Sequence, residues 1–182
     1  MSREQSQRFA IACLAAGVVV LVDQATKAAA LGGMSQTERI PLLGDLLGLQ
    51  LAFNPGAILS LGADFTGLLT LLGVGAVVVL VVAAARARTE TWAVGIGLIL
   101  GGAIGNVIDR LFSPPGFGVG HVTDFLAYGN LFIGNLADVA LGAGVIVLGL
   151  NMWIRHRRAR AKAAEQVTAH LGSAAGAAVT GP

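Results

Sequence analysis

Four long apolar runs divide the chain. Phe9–Leu31 is apolar except for Asp23, Gln24, Thr26 and Lys27, and Phe65–Ala85 carries no charge. Thr91–Ile108 is also uncharged and leads into Asp109 and Arg110, while Leu131–Ile154 is interrupted by Asn135, Asp138 and Asn151. Roughly 20 mostly apolar residues are enough for an α-helix to cross the hydrocarbon core of a bilayer. The pattern therefore predicts an all-α polytopic membrane protein with spans over about 9–31, 65–85, 91–110 and 131–154. Between the first two runs the periodicity changes. Leu47, Leu49, Leu51 and Phe53 alternate with Gly48, Gln50 and Ala52, the period-2 signature of a half-buried strand. Strand edges cannot face lipid, so the β-rich loop 32–64 is expected at the outer surface, as a small sheet against the membrane.

Composition agrees with a lipid environment. Of 182 residues, 55% are hydrophobic and 12% charged, whereas soluble domains carry roughly 25% charged residues. The 26 glycines suit helices that approach closely in lipid. The first run could be read as a cleaved signal ending near Ala28-Ala29-Ala30, but the Asp23–Lys27 pair inside it does not belong in a signal's apolar region. Cys13 has no second cysteine to pair with and is read as a small apolar residue.

The distribution of basic residues sets an orientation. Arg3 and Arg8 precede the first span, Arg86 and Arg88 separate the second from the third, and Arg155, Arg157, Arg158, Arg160 and Lys162 follow the fourth. By the positive-inside rule these belong to the cytoplasmic side, leaving Gly32–Asp64 and Ser113–Asn130 outside with both termini inside. A basic cluster beside a span is expected to meet anionic headgroups rather than nucleic acid. The expected organisation is one membrane domain over 1–162 and a disordered cytoplasmic tail over 163–182, where Ala, Gly and Ser dominate.

In that topology the polar residues of the spans share one depth. Asp23 and Lys27 lie late in the outgoing first span, Asn106, Asp109 and Arg110 end the outgoing third, and Asn135 and Asp138 begin the returning fourth. Asp124 sits in the outer loop just before it. Ionisable groups in spans are expensive and mark function by default. Asp23 and Lys27 are four apart, on one helix face, and are read as a structural polar pair. Asp109 and Arg110 are adjacent and each need another partner; a structural role for Asp109 is open beside a catalytic one. Asp124 and Asp138 have no basic neighbour in sequence, and the returning hairpin can bring them together. Two close carboxylates share a proton, so one takes a proton from water while the other polarises a carbonyl. A loop aspartate such as Asp124 also serves readily as a cap or turn residue.

Five short blocks then extend the reading. Asp23-Gln24-Ala25-Thr26-Lys27, Asn54-Pro55-Gly56-Ala57, Gly101 through Arg110 (GGAIGNVIDR), Val122-Thr123-Asp124-Phe125 and Asn135-Leu136-Ala137-Asp138 occur in that order. With them the chain resembles the lipoprotein signal peptidases (signal peptidase II) of bacteria, from the first span through the fourth. The resemblance implies four transmembrane helices with a small outer-face β-cradle and a catalytic dyad of Asp124 and Asp138. It implies that Asn54, Gly56, Asn106, Asp109, Arg110 and Asn135 line or support the site, with Asn54 and Arg110 expected to hold the substrate backbone. The reaction implied is removal of the signal peptide from diacylglyceryl-modified prolipoproteins, before the lipobox cysteine, at the outer face of the inner membrane. No cofactor or metal is implied, and the expected partners are prolipoproteins and membrane lipids, with the enzyme a monomer. Departures from the family pattern fall at Ile58-Leu59-Ser60 and at Gly134, where an aromatic is usual and Phe132 stands two residues earlier.

Other classes fit less well. A small proton-coupled carrier would be expected to show internal repeats and midplane acids, and the two halves share no motif. A four-span scaffold would not need polar groups of three helix ends at one depth. A metalloprotease would carry ligands such as H-E-x-x-H, which His121, His156 and His170 do not form.

Overall fold

The computed structural model describes residues 2–56 and 61–179, with side chains through Lys162. Helices α1 (Arg3–Gly33), α2 (Thr66–Ala85), α3 (Glu90–Phe112) and α4 (Leu136–Val179) are built from the four apolar runs. Each contains a stretch long and apolar enough to cross a membrane. Their exposed surfaces carry large hydrophobic side chains such as Leu21, Leu71, Val79 and Val145. That arrangement is stable only where hydrocarbon is the solvent.

Helix α3 is central, and small residues put it there. Gly97, Gly101 and Gly105 repeat every four residues and so share one face. A methyl group at Gly97 would lie 2.6 Å from the Ala12 carbonyl, and one at Gly101 2.8 Å from the Ala16 carbonyl. The backbones of α1 and α3 are therefore nearly in contact, the close approach that small residues permit in lipid. Gly102 faces α4 in the same way, 2.5 Å from the Ala137 carbonyl by that measure. Through these contacts α3 fixes the end of α1 and the start of α4 beside its own polar end.

The sheet is antiparallel throughout, in the order β1 (Ile40–Leu43), β2 (Leu47–Asn54), β3 (Val122–Tyr128), β4 (Phe132–Gly134). The expected strand is β2. It pairs with β1 on one side and, on the other, with β3 from the second loop, and β4 adds to β3. Strand β3 shows no alternation because its residues are nearly all buried on both faces. The fourth apolar run is also divided: Phe132–Gly134 forms β4, and the helix starts at Leu136 rather than Leu131. A short apolar run does not distinguish a buried strand from a helix by periodicity alone.

At the other end, α4 is helical through Val179, where a disordered tail had been expected from 163. Alanine, the best helix former, is the commonest residue of that segment and accounts for the difference. The departures at Ile58, Leu59 and Ser60 lie outside the described residues.

Candidate active site

The site is assembled where α1, α3, β3 and the first turn of α4 meet. Its foundation is the start of α4, whose first N–H groups have no partners within the helix. Asn135 and Asp138 cap it reciprocally. The Asp138 N–H donates to Asn135 Oδ1 at 3.0 Å, and the Asn135 N–H donates to Asp138 Oδ2 at 3.2 Å. This is the logic of a capping box, with an aspartate at the third helical position. The intervening Ala137 N–H donates to Asp23 Oδ1 at 3.0 Å, so α1 completes the cap of α4.

Asn135 also reaches the second carboxylate. Its Nδ2 donates to Asp124 Oδ1 at 2.6 Å, while its backbone N–H holds Asp138. One fully buried residue thus ties both aspartates. Asn106 supports the arrangement from α3: its Nδ2 donates to Asp138 Oδ1 at 3.0 Å, and its Oδ1 accepts from Asn135 Nδ2 at 3.2 Å. Asp124 comes from β3, opposite Ala52 of β2, and is 2% exposed. Burial, and then the charge of Asp138, push its pKa up to about 7, against the pull of hydrogen bonds from Asn135 and Asn54 and of the Lys27 charge. A carboxyl so placed is half protonated near neutral pH.

Beneath the dyad lies a buried ionic network. Lys27 Nζ is 2.8 Å from Asp23 Oδ2 and 2.9 Å from Asp109 Oδ2, and donates to Asn106 Oδ1 at 3.1 Å. The expected pair is therefore a group of three charges, and Lys27 stands one residue from Asp138. Asp109 additionally accepts from the Thr123 N–H at 3.0 Å, fixing β3 next to the residue that carries Asp124. Gln24 was not singled out as a site residue, though it stands in the first motif. Its Nε2 lies 3.1–3.2 Å from Asp23 Oδ2, the Gly105 carbonyl and Asp109 Oδ1. A lone glutamine in a span carries little signal, and the backbone donors at Thr123 and Ala137 carry none.

Arg110 is engaged by the protein itself. Its guanidinium donates to the Pro55 carbonyl at 3.2 Å and to the Gly56 carbonyl. The Gly56 N–H donates to Asn54 Oδ1 at 3.0 Å, a local turn that aims the Asn54 amide at Asp124. Arg110 thus holds the Asn54–Gly56 segment over the two aspartates.

All ten residues read as site or network from the sequence belong to one connected constellation. A cavity of about 520 Å³ opens on it, lined by Asn54, Gly56, Asn106, Arg110, Asp124, Asn135 and Asp138, and continuing past Phe132 to Leu141 and Val145 of α4. It is polar at one end and apolar along the helix. His121 does not line it. Phe132 stacks on Tyr128 with ring centroids 4.7 Å apart. A methyl group at Gly134 would stand 2.9 Å from Asp138 Oδ2 and 3.4 Å from the Phe132 ring. The glycine therefore leaves the carboxylate its place, and the aromatic two residues earlier covers it.

Comparison with known proteins places this geometry. Residues 15–154 match the family described as signal peptidase (SPase) II. The lipoprotein signal peptidase of Rhodococcus jostii (strain RHA1) is 41% identical over 142 residues, covering 78% of this chain and 72% of the relative. That of Mycobacterium avium (strain 104) is 37% identical over 142 residues, 78% of each chain. A bacterial membrane enzyme solved by the in meso method at 2.3 Å shares the fold with a TM-score of 0.69 and 25% identity, over 78% of this chain and 87% of the other. The chain belongs to the signal peptidase II family.

Proposed function

We propose that the protein removes the signal peptide from diacylglyceryl-modified prolipoproteins, cutting before the lipid-bearing cysteine, with Asp124 and Asp138 as the catalytic pair. The observation that carries this reading is Asn135, whose side-chain amide holds Asp124 while its backbone N–H holds Asp138. A water seated between the two carboxyls attacks the scissile carbonyl carbon and gives a proton to Asp138. Asp124, in its protonated form, donates its proton to the carbonyl oxygen. The resulting diol collapses as Asp138 returns the proton to the leaving nitrogen and Asp124 recovers its own. No covalent intermediate forms, and general acid–base catalysis of this kind contributes about 10²–10⁴-fold per group.

The cavity supports the substrate class. Its polar end suits a peptide backbone, and its apolar flank along Leu141 and Val145 suits a membrane-embedded signal segment or an acyl chain. Lys27, Asp23 and Asp109 hold the polar ends of the helices, and Arg110 holds the Asn54–Gly56 segment. The enzyme acts as a monomer in the bacterial inner membrane, among its lipids, with both termini cytoplasmic and the dyad near the outer face. The basic residues at the opposite end of the bundle support that orientation.

The test is incubation of the purified protein with a diacylglyceryl-modified prolipoprotein and with its unlipidated counterpart, reading the new N-terminus by mass spectrometry. A lipidated cysteine at the new N-terminus is the expected product. Equal cleavage of the unlipidated form, or cleavage elsewhere, overturns the substrate assignment.

A further inference from the structure

A second cavity, of about 910 Å³, opens at the end of the bundle away from the aspartates, where α2 ends, α3 begins and α4 passes residues 152–156. Arg86, Arg88 and Arg155 line it, together with Trp92 and Trp153. Ile96 and Met152 add apolar surface deeper along the helices, and His156 adds a further titratable group. Glu90, exposed in the first turn of α3, does not line it. Among the described residues none of the three guanidinium groups lies within ion-pair distance of a carboxylate. Arg157, one turn along α4, is already occupied by the face of Trp153, 4.3 Å from its centroid.

This composition selects its occupant. A water-soluble anion would neutralise the arginines but leave the tryptophan and aliphatic surface uncovered. An uncharged lipid would do the reverse. A molecule with an anionic head and an apolar tail answers both, and basic pockets between transmembrane helices suit such headgroups. Tryptophan prefers the headgroup level of a bilayer, so the cavity stands at the depth where a lipid phosphate lies. We propose that this cavity binds one anionic phospholipid, its phosphodiester on Arg86, Arg88 and Arg155 and an acyl chain along Trp92, Ile96 and Met152. Such a lipid bridges the α2–α3 connection and α4, which share no other charged tie at this end among the described residues.

The chain has only two tryptophans, and both line the cavity, so intrinsic fluorescence reports on this site. The full-length protein is reconstituted in phosphatidylcholine vesicles containing, at equal mole fraction, either phosphatidylglycerol or phosphatidylcholine brominated on the acyl chain. The expected result is several-fold stronger apparent binding of the brominated phosphatidylglycerol than of the brominated phosphatidylcholine. An Arg86→Gln/Arg155→Gln protein should lose that preference while retaining peptidase activity, since the aspartates lie at the other end. Equal quenching by the two lipids in the unaltered protein overturns the proposal, as does a preference that survives the double substitution. Loss of the preference in millimolar inorganic phosphate also overturns it, because the occupant is then a free anion.

Discussion

At the scale of single residues, the environment of Asp124 makes a pH prediction. Its pKa is raised from 3.8 to about 7, first by burial and second by the Asp138 charge. The protonated form that the proposed mechanism uses as proton donor is therefore lost as pH rises through about 7, and kcat/KM should fall on that limb. The same shift carries a sign for stability. The folded protein binds a proton that the unfolded chain releases at lower pH, so this contribution is fully present below the unfolded pKa. It declines as pH rises and is gone above the folded value. Asp124→Asn should abolish cleavage and flatten the corresponding slope of Tm against pH. Asp138→Asn should abolish cleavage as well, and the double variant should be scarcely worse than either single one, because residues acting as a unit are non-additive. Substantial turnover by either asparagine variant would remove that residue from the chemistry. Asn135 separates two roles that coincide in one side chain. Serine caps helices about as well as asparagine but has no amide to reach Asp124. Asn135→Ser should therefore keep Tm within a few degrees while kcat/KM falls by an order of magnitude or more, with a displaced high-pH limb. An unchanged pH profile would reduce Asn135 to a cap.

At the scale of elements, the seating of α1 on α3 yields the sharpest stability contrast. A Cβ at Gly101 would meet Val19 Cβ at 2.6 Å and the Ala16 carbonyl at 2.8 Å, whereas one at Gly75 of α2 would meet nothing within 4 Å. Overpacking of this kind costs about 1–3 kcal/mol. Gly101→Ala should lower Tm in detergent measurably, while Gly75→Ala leaves it level or higher; equal effects would mean that the two helices part without penalty. The ionic network gives a larger effect. Asp23 holds Lys27 and the Ala137 N–H together, so Asp23→Ala leaves an imperfectly compensated buried charge and an open cap, at a cost of about 3–5 kcal/mol. Loss of folded protein is expected in thermal unfolding assays; normal stability without activity would instead make Asp23 a participant in the reaction.

These elements also show what the sequence makes legible. The four helices announce themselves because lipid demands long apolar runs, and the polar residues within those runs stand out because lipid makes them costly. That is why Asp23, Lys27, Asn106, Asp109, Arg110, Asn135 and Asp138 stand out along the spans; Asp124 lies in the loop before the fourth, and Asn54 and Gly56 are implied only by the resemblance. Strand β3 is hidden for the opposite reason. Buried on nearly every residue, it has no polar face to set its period, so its sheet pairing with β2 and the exact seat of Asp124 are visible only in three dimensions. The capping role of Asn135-Leu136-Ala137-Asp138 was obscured by the apolar residues just before it, which form β4 instead of helix. The backbone donors at Thr123 and Ala137, which meet the Asp109 and Asp23 carboxylates, carry no side-chain signal of their own.

At the scale of the whole molecule, the two ends of the bundle differ in kind. One carries the sheet, the dyad and the buried network; the other carries the arginines at the start of α1, after α2 and midway along α4, and the cavity lined by Arg86, Arg88 and Arg155. Arg3, Arg8, Arg86, Arg88, Arg155, Arg157, Arg158, Arg160 and Lys162 all belong to that second end, against Arg39, Arg110 and the buried Lys27 at the first. In short loops and flanks such a bias sets which end stays in the cytoplasm, so the dyad should face outward. Cysteine labelling in intact cells reads this directly. Cys13 is exposed and free and is first replaced by serine. A cysteine is then placed at Phe117, 78% exposed in the connection before β3, or at Glu90, exposed in the first turn of α3. A membrane-impermeant maleimide should label the Phe117→Cys protein before lysis and the Glu90→Cys protein only after it. The reverse pattern would put the arginines outside and the aspartates in the cytoplasm, and would contradict the proposed orientation while leaving the geometry of the dyad untouched.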